Sequence, residues 1–362
     1  MPSTHLTRRR FAAGVTALAF TAVGLAGCGS DDADGADDSG GSGGGGGEGV
    51  ELRLGYFPNL THAPGIVGVD QGFFEGQLDE VGATLTTGEF NSGTDTIQAI
   101  VTGALDITYI GPSPALTGYA TNPDTVRLIA GATSGGAALV VDPSITSPED
   151  LEGKKIATPS LGNTQDVAAR FWLQEQGYQT TQEGGGDVEL LPQDNSVTVQ
   201  TFQQGAIDGA WVPEPYASIL EQEGAEVLVD EAELWPDGQF VTTHVLVNAQ
   251  FLEDNPEVVE AFLKGHLESI DYLNENSEQA RDEVSAFLEE STGSALEPQA
   301  LESAWNRLTF TNDPLASTLY ENAEHAEAVD LLEPIDGIEG IYDLEILNQL
   351  LVDDGQEEVT TS

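Results

Sequence analysis

The sequence predicts an α/β protein of two lobes, in which each lobe is built on a mainly parallel sheet and a helical extension follows. Three observations predict this architecture. Short apolar runs alternate with amphipathic runs from residue 50 to residue 212, the alternation restarts after Pro143, and one twenty-residue pattern occurs in both halves. Alternating strands and helices are typical of parallel sheets that are covered by helices on both faces.

The individual elements follow from hydrophobic periodicity in chain order. The first half is predicted to contain strands at 50–57, 83–90, 104–110 and 126–132 and helices at 64–74 and 94–102. The second half is predicted to contain strands at 154–158, 188–192 and 207–212 and helices at 164–176 and 197–204. Beyond about residue 257 the pattern is helical, and we expect these helices to pack on the first lobe.

An internal repeat relates the two halves. The segment TIQAIVTGALDITYIGPSPA (96–115) aligns without a gap with TVQTFQQGAIDGAWVPEPYA (198–217). Gly103 and Gly205 each follow the predicted helix, where a left-handed residue commonly ends it. Tyr109 and Trp211 then occupy matching places at the ends of the following strands. The repeat therefore indicates two lobes built on one plan.

The lobes are expected to be joined by two crossings of the chain. Lobe 1 is predicted to comprise residues 50–140 plus 244–362, and lobe 2 residues 141–243. Two crossings form a hinge, which is how binding proteins close around a solute. Ligands bind outside the carboxyl ends of parallel strands and favour domain interfaces. We therefore expect a ligand site between the lobes.

The first 49 residues predict export and anchoring. Arg8 and Arg9 precede a run of about 15 apolar residues, which is too short to cross a membrane that needs about 20. Residues 1–27 are thus predicted to be a signal peptide; it resembles the twin-arginine signal, although export by the general route stays open. The run LAGC ending at Cys28 resembles a bacterial lipobox, in which the cysteine accepts a lipid.

A linker is predicted at 28–49, because lipidated Cys28 is followed by acidic, glycine- and serine-rich chain that cannot fold. We expect the protein to be lipid-anchored on the extracytoplasmic face of the cell membrane. The sequence carries 11 Lys+Arg against 62 Asp+Glu, a net charge of -51. Nucleic acid is excluded as a partner because it requires a basic footprint. Such a charge repels itself unless ions screen it, which indicates a salty external medium.

Four stretches resemble the substrate-binding lipoproteins of ABC importers in the aliphatic sulfonate, taurine and nitrate group. They are GYFPN at 55–59, QGFF at 71–74, the run 147–173 and WVPEP at 211–215. The resemblance extends from about 50 to 290. It implies the type II periplasmic-binding-protein fold, capture of a small organic anion of the alkanesulfonate or taurine type, delivery to ABC permease subunits, and a monomer.

Candidate ligand-binding residues lie where predicted strands end and helices begin. Small polar residues and glycines at helix starts suit an anion site made of backbone N–H groups without a cationic side chain. The candidates are Asn59, His62, Asn91, Ser92, Gly93, Gly111, Ser113, Ser134, Gly135, Asn163, Thr164, Gln165, Trp211 and Glu214. The alternatives are that the polar residues only cap helices, that His62 is a cap or exposed, and that Trp211 belongs to the core.

Other functions fit the sequence less well than capture of a small organic anion. A nitrate site is disfavoured because no charged group is clearly placed for it, while a pyrimidine or thiamine-precursor-type heteroaromatic solute could stack on Trp211 or Tyr109. An enzyme of the same fold is a remote alternative. The five histidines lack metal-ligand spacing and no cysteine remains after Cys28. No catalytic residue, metal or cofactor is therefore predicted.

Overall fold

The computed structural model describes residues 49–293 and 295–361. The predicted signal peptide, Cys28 and all of the predicted linker except Gly49 lie outside the described residues. Within the described part of the chain, no helix has the length and apolarity needed to cross a bilayer.

Strands are numbered in chain order. They are β1 (Glu51–Tyr56), β2 (Thr84–Glu89), β3 (Ile107–Ile110), β4 (Val126–Gly135), β5 (Ala137–Val141), β6 (Lys155–Thr158), β7 (Glu189–Pro192), β8 (Gly209–Pro213), β9 (Glu226–Asp230), β10 (Val241–Asn248) and β11 (Leu308–Phe310).

Helices are numbered in the same way. They are α1 (Ala63–Asp70), α2 (Phe73–Glu80), α3 (Gly93–Val101), α4 (Pro112–Thr121), α5 (Thr164–Glu175), α6 (Asn195–Gln203), α7 (Tyr216–Gln222), α8 (Ala249–Asp254), α9 (Pro256–Glu275), α10 (Ser277–Thr292), α11 (Pro298–Asn306), α12 (Ala316–Ala328) and α13 (Glu345–Asp353). Short 3₁₀ turns at Leu60–His62, Pro148–Leu151, Glu231–Leu234, Pro236–Gly238 and Ile338–Ile341 connect them.

The strands form two sheets, one in each lobe. The first has the order β11-β4-β10-β3-β1-β2 and the second the order β7-β6-β8-β5-β9. Both are mixed rather than mainly parallel. β1 runs parallel to β2 and β3, and β6 runs parallel to β7 and β8. β10 and β5 run antiparallel to both of their neighbours, because these strands follow the two crossings and run back through the sheets.

The crossings lie slightly upstream of the predicted boundaries. The chain leaves the first sheet at Gly135 and Gly136, which have φ angles of +80° and +77° that favour glycine. It returns through residues 231–240, called the return segment below, which contain two 3₁₀ turns before β10. The expected boundaries at 140/141 and 243/244 therefore fall inside β5 and β10.

The predicted helix at 64–74 is two helices in the structure. Gly72 adopts φ +73° between α1 and α2, so the chain turns there and the apolar pattern continues into a new helix. Apolar cores fill both lobes, with Leu54 and Phe262 in the first and Ile156 and Trp211 in the second. Of the C-terminal helices, α9 packs on α1 and α2, whereas α12 touches α4 of the first lobe and α5 of the second.

Candidate functional site

A small cavity between the lobes brings together eight of the predicted site residues. Its volume is about 40 Å³, and we call it the inner cavity. The predicted residues that line it are Asn59, His62, Asn91, Gly93, Gly111, Asn163, Thr164 and Gln165. They come from the ends of β1, β2, β3 and β6 and from the starts of the elements that follow, as expected for ligand sites in open α/β sheets.

The turn after β1 supplies a neutral hydrogen-bond donor. Asn59 Oδ1 accepts from the Thr61 N–H at 3.1 Å and so starts the 3₁₀ turn that carries His62. The Phe57 N–H donates to His62 Nδ1 at 3.3 Å, and the two rings stack with centroids 4.6 Å apart. Burial lowers the pKa of His62 to about 3. The ring is therefore neutral with its proton on Nε2, which can donate to an oxyanion.

Three helices begin at the inner cavity. α3 begins at Gly93, α4 follows Gly111 directly, and α5 begins at Thr164. Helix N-termini carry partial positive charge and N–H groups without intrahelical partners. Asn163 caps α5, since its Oδ1 accepts from the N–H groups of Gln165 at 3.0 Å and Asp166 at 3.2 Å. The side-chain oxygen of Asn163 is therefore a helix cap, as the alternative to ligand binding predicted.

The two lobes meet at Gly111 and Thr164. A Cβ atom built on Gly111 would lie 2.5 Å from Thr164 Oγ1, so a larger residue at 111 would displace the threonine. Thr164 is 2 % exposed, and its hydroxyl lies beside Gly111 at the inner cavity. Thr164 is therefore a buried donor that faces the inner cavity.

Six predicted site residues do not line the inner cavity. Trp211 lies in the core of the second lobe, edge-on to Trp172, with its indole N–H donating to Glu231 at 2.7 Å. Tyr109 is equally buried, and its hydroxyl contacts His266 at 2.8 Å. Trp211 and Tyr109 thus point into the lobe cores, where they pack against other core residues. Neither ring can therefore stack on a solute in the cavity.

The other five serve backbone or side-chain contacts nearby. Ser113 donates to Asn322 at 2.8 Å, Ser134 accepts from the Phe240 N–H at 3.2 Å, and the Ser92 carbonyl accepts from Thr96. Gly135 lies at the first crossing. Glu214 is buried, binds the Ser218 N–H and hydroxyl, and pairs with Arg307 at 2.6 Å.

A wider chamber, which the sequence did not predict, shares residues with the inner cavity. Its volume is about 250 Å³, and we call it the vestibule. It shares Phe57, Asn59, Asn91 and Asn195 with the inner cavity. Its other polar side chains include two carboxylates, Glu89 from β2 and Asp194 before α6. No lysine or arginine is among the described residues that line either space.

The internal repeat could have predicted Asp194 and Asn195 as site residues. Extended by a few positions toward the N-terminus, it places Asp194 and Asn195 over Ser92 and Gly93, immediately before α6 and α3. Gly93 was a candidate, and its counterpart Asn195 also lines the inner cavity. Asn195 Oδ1 is buried without a hydrogen-bond partner among the described residues, which suits a group that receives a ligand donor.

Comparisons with known proteins agree with this architecture. Residues 45–289 match the NMT1-like family. The taurine-binding periplasmic protein of Escherichia coli is 33% identical over 194 residues, which cover 52% of this chain and 58% of that protein. The alignment thus spans less than two thirds of that relative. The putative aliphatic sulfonates-binding protein of Bacillus subtilis is 25% identical over 264 residues, 71% of this chain and 73% of that protein.

Solved structures show the same fold. The alkanesulfonate-binding protein SsuA of Xanthomonas axonopodis, bound to MOPS, has a TM-score of 0.67 at 17% identity and covers 82% of this chain and 99% of its own. The nitrate-binding protein NrtA of Synechocystis has a TM-score of 0.67 at 16% identity, with 84% and 89% covered. The predicted two-lobed periplasmic-binding fold with C-terminal helices is confirmed.

Proposed function

Because the chain belongs to the NMT1-like family, we propose that it is the extracytoplasmic solute-binding component of an ABC importer. It captures a small aminosulfonate of the taurine type between its lobes and delivers it to a permease. The observation that carries this proposal is the pairing of an inner cavity lined by neutral donors with a vestibule lined by carboxylates.

The inner cavity suits the sulfonate. His62 Nε2, the Thr164 hydroxyl and the N-termini of α4 and α5 supply N–H and O–H donors to an anion. Hydrogen bonds to a charged ligand are stronger than neutral ones, so such a site needs no cationic side chain. Nitrate could occupy this end of the site, and a nitrate-binding protein shares the fold, but nitrate would leave the vestibule unused.

The vestibule suits an ammonium group. Glu89, which accepts from the Ser291 hydroxyl, and Asp194 present carboxylates beside Asn195. A zwitterion with its anionic end in the inner cavity and its cationic end toward these carboxylates satisfies both spaces. A heteroaromatic solute is less well served, because Trp211 and Tyr109 are both 0% exposed in the lobe cores.

Isothermal titration calorimetry with taurine, ethanesulfonate, nitrate and thymine tests this proposal. We expect taurine to bind most tightly and ethanesulfonate, which lacks the ammonium group, to bind at least about tenfold more weakly. The double variant Glu89→Gln/Asp194→Asn should reduce taurine affinity to that of ethanesulfonate. Asp79→Asn removes an exposed carboxylate on α2, which lines neither space, and should change nothing. Tighter binding of nitrate or thymine than of taurine would overturn the proposal.

We further propose that Cys28 is lipidated, which places the protein on the outer face of the cell membrane. The support is the order of arginines, apolar run, LAGC and linker in the sequence. Cys28→Ser removes the acceptor sulfur, so labelled fatty acid should no longer be incorporated and the membrane fraction should lose the protein. Ser30→Ala is the matched control and should retain the label. Fatty acid on the Cys28→Ser variant would contradict this prediction.

A further inference from the structure

A third cavity lies between α5, the return segment and α12, and it shares no lining residue with the inner cavity or the vestibule. Its volume is about 360 Å³, and we call it the aromatic cavity. Four rings line it, those of Phe171, Trp172, Trp235 and His325. Nothing in the transport function proposed above uses these residues.

The rings are held in place by one another. His325 stacks on Phe171 with centroids 3.7 Å apart and lies 5.5 Å from Trp235. Trp235 in turn stacks on Phe240 at 5.7 Å. Burial lowers the pKa of His325 to about 4, so the imidazole is an uncharged ring at neutral pH. The walls of the aromatic cavity therefore present π-systems rather than positive charge.

A buried carboxyl group completes the cavity. Glu231 is 1% exposed, and its Oε2 accepts the Trp211 indole N–H at 2.7 Å. Its Oε1 is buried without a hydrogen-bond partner among the described residues. Burying such an oxygen without a donor or a positive charge destabilises the folded state. Burial also raises the pKa of Glu231 to about 7, against the opposing effect of the Trp211 and Trp235 indole N–H groups, which both act on this carboxyl group.

The remaining charged groups at the cavity are of one sign. Glu175 from α5 and Glu321 from α12 line it, while no lysine or arginine among the described residues does so. Leu234, which is 44% exposed, adds an apolar contact at the same cavity. The combination is an apolar, ring-lined space with a buried carboxyl group, of which only Oε1 lacks a hydrogen bond among the described residues, and two further carboxylates.

We propose that the aromatic cavity binds a small organic cation of the quaternary ammonium class. The ring faces attract the cation through their quadrupoles, and the attraction is larger where water is excluded. Glu231 Oε1 then faces a positive charge. A bare metal ion fits poorly, because the rings offer it no oxygen ligands, and a neutral aromatic solute would leave the carboxyl oxygen unpaired. The occupant would contact α5, the helix whose first residue, Thr164, lies in the inner cavity.

The test uses the full chain with ¹⁵N-labelled tryptophan, titrated with choline chloride and compared with sodium chloride at equal ionic strength. We expect saturable shifts of the Trp172 and Trp235 indole resonances. The Trp305 resonance, from the core of the first lobe, serves as the internal reference. The neutral isostere 3,3-dimethylbutan-1-ol should bind at least about tenfold more weakly, because it lacks the charge that the rings and carboxyl group recognise.

Two variants and one control test whether choline binds in the aromatic cavity. Glu231→Gln keeps an acceptor for the Trp211 N–H but removes the charge, and it should weaken choline binding at least about tenfold. Phe171→Leu tests the rings independently and should weaken binding even if Glu231→Gln does not fold. Glu324→Gln removes a charge from α12 outside the aromatic cavity and should leave affinity unchanged. The proposal would be overturned if the isostere bound as tightly as choline, or if both variants kept the affinity of the unchanged protein. It would also be overturned if the Trp172 and Trp235 resonances shifted only when the Trp305 resonance shifted too.

Discussion

At the scale of single residues, the adjacent residues Asn163 and Thr164 have different environments at the start of α5. Asn163 Oδ1 accepts from two N–H groups in the first turn of α5, whereas the Thr164 hydroxyl beside it lies against Gly111 at the inner cavity. Helix capping and ligand donation were indistinguishable in the sequence, because either residue type can cap a helix. Substitution of Thr164 therefore tests binding more directly than substitution of Asn163, which would also remove a helix cap.

Thr164→Val should weaken taurine binding without loss of stability. The change keeps the side-chain shape and deletes the donor, and a hydrogen bond to a charged group contributes about 1.5–3 kcal/mol. Calorimetry measures the affinity and thermal unfolding the stability. Thr102→Val, on the exposed end of α3, is the matched control and should leave affinity unchanged. Unchanged affinity with a lower unfolding temperature would instead assign Thr164 to capping.

His62 makes a prediction about pH. Its pKa is about 3 in the folded protein, so it stays neutral while pH falls from about 8 to about 6. A histidine that bound the anion as an imidazolium with the ordinary pKa near 6.5 would gain affinity over that interval. We therefore expect the affinity for ethanesulfonate, measured by calorimetry, to be flat over this range. A tenfold gain at the lower pH would show that the ring binds in its charged form.

At the scale of elements, the sequence predicted most strands and helices up to residue 212, but not α4 or β5, and not where the side chains point. The repeated aspartates show why the repeat was informative. The carboxylates of Asp106 and Asp208 accept the backbone N–H groups of Arg53 and Lys155, each at 2.8 Å, so the same residue ties the same strand pair in each lobe. Identity between the halves at this position is therefore structural, whereas the equivalent positions Gly93 and Asn195, which both line the inner cavity, differ between the halves.

The direction of the rings could not be predicted from the same pattern. Trp211 and Tyr109 end their strands in matching places, and a strand end is where ligand residues are found. Packing decides otherwise, because Trp172, His266 and Phe262 offer buried partners on the inner side. Likewise, periodicity alone could not divide the helix at 64–74, since the break depends on the backbone of Gly72.

Arg307, which lies between α11 and β11, leads to a prediction about stability. Arg307 binds Glu214 at 2.6 Å and Glu221 at 2.8 Å, and so ties the C-terminal region to β8 and α7 of the second lobe. Glu214 is 0% exposed, so Arg307→Ala would leave a buried carboxylate without its cation, at a cost of about 3–5 kcal/mol. Urea unfolding should show this loss, and adding Glu214→Gln should recover part of it.

Glu221→Gln is the control for that experiment. Its side chain is 30% exposed, and water can replace its contact with Arg307, so the loss should be well under half of that for Arg307→Ala. Equal losses for the two variants would mean that the ion pair with Glu214 is not what joins the C-terminal region to the second lobe.

At the scale of the whole molecule, the charge of the chain bears on the choice of solute. A net charge of -51 repels a small anion at long range, whereas donors in the inner cavity act only at contact. A zwitterion has no net charge, so the far field does not oppose its approach. The aminosulfonate proposed for the cleft therefore suits the surrounding field as well as the local geometry.

The position of β10 has a consequence for the order in which the chain acquires its structure during synthesis. β10 lies between β3 and β4, so these strands cannot join into one sheet until residue 248 has left the ribosome. The second sheet uses only residues 137–230 and has all its strands earlier. The lobe that comes second in the sequence should therefore fold first, contrary to the usual N-terminal order. A chain stopped at residue 235 should show protease protection in 137–230 but not in 49–135, and protection of both would rule out this order.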